Sequence, residues 1–397
     1  MTLRITGGRV LLYDAFSEDM AIGIDTADGR IADVGTETAG KQILDASGLL
    51  VLPGIVDIHG DAFERQMMPR PGVHVATDIA LIDSDRQVIA NGITTVFHSV
   101  TWSWEPGLRG SENARGILAG IESLGGRLAA DTKFHLRYET FNFGAEPEVT
   151  DWLGDRRIHA LAFNDHMPTG ESLAKRPDKI NQMVERSGVS REDFLTLVGR
   201  LNGRRDEVPE AIARVAKVAN ASSIALLSHD DASPEQRRWF RALGCRVSEF
   251  PMNIETAREA ADAGDHIVLG APNVMRGKSH LGWVNASDMV ARGMCTVLAS
   301  DYYYPAPLVA AFRLADIGVA PLEKAWPLVS EFPANAVGLD DRGRIAPGLR
   351  ADLILVDPAV PGRPRVVAVM VAGRIVHLTE AARLVHRVRA LPHMTDS

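Results

Sequence analysis

Cysteine is nearly absent. Cys245 and Cys295 are the only two in 397 residues, which rules out a disulfide framework or a CxxC metal or redox motif. Uninterrupted apolar runs of about 18 residues are missing too, so no membrane-spanning helix is expected. The opening stretch, MTLRITGGRVLLYD, lacks a basic segment followed by a long apolar one, and no secretory leader is expected. Positive charge is in deficit: 43 Lys and Arg face 51 Asp and Glu, for a formal net charge of −8. That argues against a general nucleic-acid binder but leaves room for a local cationic pocket. Internal repeats and low-complexity tracts are also lacking. These exclusions leave the expectation of a soluble, cytoplasmic protein with no nucleic-acid or membrane partner, free to form a homo-oligomer.

What is present is ordinary globular material, 46% apolar and 24% charged, with enough apolar residues for a large core. Residues 1–52 alternate short Val/Ile/Leu stretches with Gly and Asp punctuation, as in RITGGRVLLY and QILDASGLLVLP, the pattern of hairpins. The same texture returns in GRIAPGLRADLILVDP and RVVAVMVAGRIVHL near the other end. Residues 1–52 and 343–397 therefore read as one small β-sandwich, with residues 53–342 inserted between its halves.

The insert alternates strand and helix. Strand candidates are Gly92–His98, Lys133–Glu139, His159–Asp165, Ser223–His229, Arg246–Glu249, Ile267–Leu269 and Cys295–Asp301. Helical stretches such as TDIALIDSDRQVIANG and VPEAIARVAKVANA separate many of them. Strand–helix repetition predicts an α/β fold with a parallel sheet, and polar strand ends favour a (β/α)8 TIM-type barrel. The long stretch around PDKINQMVERSGVSREDFLTLVGR reads as a helical excursion over the barrel mouth.

The polar strand ends carry the chemistry. IVDIHGD ends in His59 and Asp61, FHLRYE in Glu139, LAFNDHMP in Asp165 and His166, IALLSHDD in His229, Asp230 and Asp231, and TVLASDYYYP in Asp301. Residues i and i+2 of a strand share a face, so His59 and Asp61 can reach one ion. Histidine and carboxylate suit Zn²⁺, with Mn²⁺ or Fe²⁺ as alternatives, and a pair of such ions can activate water and polarise a substrate oxygen. Glu139, with two oxygens, is the candidate bridge, and Asp301 the candidate proton carrier. Any one of these residues alone is more often a cap, turn or packing residue. Five such strand ends together are a specific signal.

In architecture and motif order the chain resembles the amidohydrolase superfamily, from GGRVLLYD through LLVLPGIVDIHGD to GLRADLILVD. There the first-strand motif is usually HxH, whereas HGD puts Asp61 in the second position. That difference, with HLRYE, NDHMPTG, GAPNVMRGKSHLGWVNA and LASDYYYPA, resembles the PhnM-type diphosphatases of phosphonate catabolism. The resemblance implies hydrolysis of α-D-ribose 1-methylphosphonate 5-triphosphate to the 5-phosphate and pyrophosphate. It further implies that His59, Asp61 and Asp301 hold one divalent ion, His166 and His229 a second, and that Glu139 bridges them. A small, anionic, phosphorylated substrate calls for cationic partners. Arg70, Arg137, Arg276, Lys278 and His280 are the candidates, while Lys175 and Arg176 read as solvated surface. Two alternatives stand: an amide or cyclic-amide hydrolase on the same scaffold, and a noncatalytic barrel that has lost its metals.

Overall fold

From Ile55 the chain builds eight strands that hydrogen-bond in sequence order, every pair parallel. They are Ile55–Gly60, Ile93–Trp102, Asp131–Glu139, Ala160–Asn164, Ala225–His229, Val247–Glu249, His266–Gly270 and Val297–Ala299, called here the first to eighth barrel strands. The ring closes between its ends: Asp301 N–H donates to the carbonyl of His59, and Asp61 N–H to that of Asp301, both at 2.9 Å. This computed structural model describes residues 2–386 except 19, 37, 39, 71, 170–176 and 278–284.

The third strand shows why the sequence folds this way. Its side chains alternate: Phe134, Leu136 and Tyr138 join an apolar cluster with Trp102, Trp152 and the helical residues Ile117, Leu118, Val215 and Ala216. His135, Arg137 and Glu139 take the other face. Both faces are buried at its C-terminal half, as expected of parallel strands covered on both sides. Helices Thr77–Ala90, Ser111–Leu124, Val208–Ala221 and Pro234–Ala242 fall where the apolar spacing predicts them. Ser233 caps the last, accepting from Gln236 N–H at 3.2 Å, and proline follows at its first position, where no amide is needed.

The second strand runs to Trp102, past the His98 expected from sequence, because its ladder continues to Tyr138 on the third strand. Trp102 packs against Trp152, ring centroids 4.8 Å apart, and is a core residue. The excursion forms helices Pro177–Ser187 and Arg191–Asn202. They bury Ile180, Met183, Phe194 and Val198 against Phe141 and Met167, which follow the third and fourth strands. Arg186 also binds Glu105, beyond the second strand, at 2.6 Å.

Residues 1–54 and 341–397 form the second compact unit. It contains a five-stranded sheet and a six-stranded sheet, each drawing strands from both ends of the chain. Leu3, Ile5, Ile22, Ile24 and Leu44 of one sheet share a core with Val10, Val51, Leu353, Leu355, Val367 and Met370 of the other, the interior of a β-sandwich. Both cysteines are buried and free. No helix among the described residues is long and apolar enough to cross a membrane.

Candidate metal centre

The first strand places Asp57, His59 and Asp61 at alternate positions, and the seam with the eighth strand fixes them. Ser300 donates to Asp57 from its amide at 2.9 Å and from its hydroxyl at 2.5 Å. Gly60 has no room for a side chain: a Cβ would lie 2.7 Å from Ser300 Oγ and 2.8 Å from Asp57 Oδ2. The glycine of HGD is thus a packing requirement of the seam. Asp301 and Asp230 both sit at positive φ, 55° and 57°, a region asparagine and aspartate tolerate better than most residues and one frequent at functional sites.

The histidines converge. His229 lies 5.5 Å from His59 and 5.6 Å from His166, centroid to centroid. In each of two groups the donor atoms lie within 4.8 Å of one another: His59, His229 and Glu249, and His166, His229 and Asp230. The groups share His229. His59 Nδ1–H donates to Glu249 Oε1 at 2.8 Å, which leaves Nε2 as the acceptor nitrogen of the neutral ring. Burial, with the charge of Arg137 and the nearby His229, holds His59 well below the usual imidazole range. It is therefore in its ligating form.

Glu139 accepts from His166 Nδ1 at 2.6 Å and from its amide at 3.1 Å. Burial alone would raise the Glu139 carboxyl, but His166 and Arg137 outweigh it and hold it low. For His166, burial is outweighed by Glu139 and Asp230, and the ring is raised. Burial, reinforced by Asp61, pushes Asp301 up to about 7, where a carboxyl can take and return a proton near neutrality.

The structure therefore gathers His59, His166 and His229, with Glu139 bound to His166. Asp61 contacts two arginines here: its Oδ2 lies 3.2 Å from Arg137 Nη1 and 3.9 Å from Arg109 Nη2. Arg137 also reaches His229 Nε2 at 3.4 Å, so it stands among the donors. Arg276 is bound to Tyr302 at 3.2 Å. Arg70 lies at an exposed turn bridged to Val73. Lys278, His280, Lys175 and Arg176 lie outside the described residues.

The sequence singles out Asp230 as part of a polar strand end but not as a ligand, and it does not single out Glu249 as a donor. Asp230 follows His229 directly. Glu249 ends the sixth strand in RVSEFP, the same kind of polar strand end that singled out the others.

Does this donor set fit a divalent ion? Glu249 Oε2 is buried and makes no hydrogen bond among the described residues, while His229 Nδ1 lies 3.3 Å from Asp230 Oδ1. An unsatisfied carboxylate oxygen in a buried cluster of imidazole and carboxylate is the chemistry of a Zn²⁺, Mn²⁺ or Fe²⁺ site. The residues fit.

The model of the amidohydrolase family matches residues 50–376. The chain is 32% identical over 326 residues to the alpha-D-ribose 1-methylphosphonate 5-triphosphate diphosphatase of Escherichia coli (strain K12), covering 79% of this chain and 85% of that protein. It is 26% identical over 415 residues to a dihydroorotase of Syntrophotalea carbinolica, covering 91% of this chain and 90% of that one. Among solved structures, an amidohydrolase superposes with a TM-score of 0.65 at 17% identity, over 96% of this chain and all of that one. A D-hydantoinase superposes with a TM-score of 0.56 at 17% identity, over 95% of each chain.

Proposed function

The chain belongs to the amidohydrolase family of metal-dependent hydrolases, and we propose that within it the substrate is α-D-ribose 1-methylphosphonate 5-triphosphate, cleaved to the 5-phosphate and pyrophosphate. The observation that carries this reading is Arg137, a buried guanidinium among the donor residues, touching Asp61 and His229. A polyanionic substrate benefits from such a charge, whereas a neutral amide does not require it. Likeness to the Escherichia coli diphosphatase over most of its length supports the same choice.

His59, Asp61, Glu139, His166, His229 and Asp301 are the residues proposed to hold two divalent ions, Zn²⁺ first. Bound there, the metal would polarise the phosphoryl oxygens and make water more acidic. Asp301 accepts the proton of the water attacking the phosphorus nearest the ribose. The bond between that phosphorus and the oxygen bridging to the next phosphate breaks. Asp301 can return the proton to departing pyrophosphate. Arg137 and Arg276 are the residues proposed to offset the charge that leaves with it.

The test is direct. Metal-loaded protein supplied with the triphosphate releases one pyrophosphate per substrate, quantified by an enzyme-coupled assay. If pyrophosphate is absent while dihydroorotate or a hydantoin is opened, the C–N hydrolase reading replaces it, as the dihydroorotase likeness favours.

A further inference from the structure

Glu249 is fully buried at the end of a three-residue strand. A carboxylate there loses its hydration and requires compensation at both oxygens. Only one receives it: Oε1 accepts from His59 Nδ1, while Oε2 has no hydrogen-bond partner among the described residues. A carboxylate whose sole task was to orient a histidine would ordinarily have its second oxygen satisfied by an amide, hydroxyl or water. This one instead shares a neighbourhood with the donor nitrogens of His59 and His229. Phe250, the next residue, packs against both rings, at 4.9 Å from His59 and 5.2 Å from His229. The backbone ties the same corner together, Asp230 N–H donating to the carbonyl of Glu249 at 2.8 Å.

Resting on the metallohydrolase reading above, we infer that Glu249 is a metal-holding carboxylate: Oε1 orients His59, and Oε2 joins His59 and His229 in the donor set of one divalent ion. The sixth strand thus contributes to the centre alongside the first and fifth. An ion at this corner balances the carboxylate charge without a further cation from the protein.

The experiment reads metal rather than turnover. Chelator-stripped full-length protein is titrated with Co²⁺ by calorimetry, and the visible absorption of the bound ion is recorded. Glu249→Gln keeps an acceptor for His59 Nδ1 but removes the charge from the second oxygen. The tighter Co²⁺ site is expected to weaken at least tenfold, with a changed visible spectrum. Glu249→Asp, which retains the charge on a shorter arm, is expected to bind more tightly than Glu249→Gln. Thermal melts of the metal-free proteins confirm folding, and if Glu249→Gln fails to fold, Glu249→Asp against wild type carries the comparison: a spectrum and affinity identical to wild type overturn the inference. Wild-type affinity and spectrum in Glu249→Gln overturn it equally. Because no substrate is involved, a wild-type protein that binds Co²⁺ normally but releases no pyrophosphate counts against the diphosphatase reading alone.

Discussion

The two compact units bury very different material. The sandwich core is mostly aliphatic, with Ile, Leu, Val, Ala and Met facing one another across its sheets, and Arg342 and Asp352 are its only buried charges among the described residues. The barrel buries His59, His98, His135, Arg137, Glu139, Asp231, Arg237 and Glu249. Apolar burial stabilises without demanding partners, whereas every buried ion needs a companion and still contributes little net stability. The contrast separates a unit whose interior serves only the fold from one that carries a reactive centre at some energetic cost.

Replacing Asp301 with Asn should divide the units most sharply. Activity should fall by about 10²–10⁴-fold, while the melting temperature of the metal-free protein at pH 8 holds or rises, since a carboxyl pushed up to about 7 by burial no longer has to ionise. Steady-state rates beside a thermal melt decide it, and an unfolded variant would contradict the assignment. Next in size is Arg237, fully buried against Asp231 at 3.1 Å and Asp265 at 3.3 Å. Arg237→Met leaves these carboxylates without their shared cation and should cost roughly 3–5 kcal/mol in denaturant unfolding.

On the sandwich side, Leu355→Ala should cost about 2–5 kcal/mol while the rate per folded molecule stays unchanged. A matching loss of turnover would erase the distinction between the units. The smallest effect is acid sensitivity at His98. Burial alone takes its pKa from 6.5 to about 4, so the unfolded chain binds the proton first as pH drops. The stability is present above pH 6.5 and is lost as pH falls toward 4, about 3 kcal/mol in all. His98→Leu should flatten urea midpoints over that interval, and an unaltered slope would remove His98 from the explanation.

Much of the centre was legible because strand geometry is local. FHLRYE announces a strand whose His135, Arg137 and Glu139 share a face, and that is how they stand. The histidines at residues 59, 166 and 229 each end or follow a barrel strand, so their convergence follows once the barrel is recognised. Partnerships were less legible. Glu249 pairs with His59 across 190 positions, and Asp57 with Ser300 across 243. Nothing local in RVSEFP distinguishes a buried carboxylate from a solvated one, because only closure of the ring removes its water. Likewise, Ser99 and Thr101 resemble loop residues until the pairing of the second and third strands explains them.

The seam joining Asp57, Gly60, Ser300 and Asp301 bears on how the protein is made. During synthesis, the first barrel strand emerges long before the segment that must lie beside it. A ribosome-bound chain ending short of residue 301 has its histidines but not its proton carrier, and its outermost strands expose unpaired edges. Competence thus arrives in one late step, when the newest strand docks against the oldest.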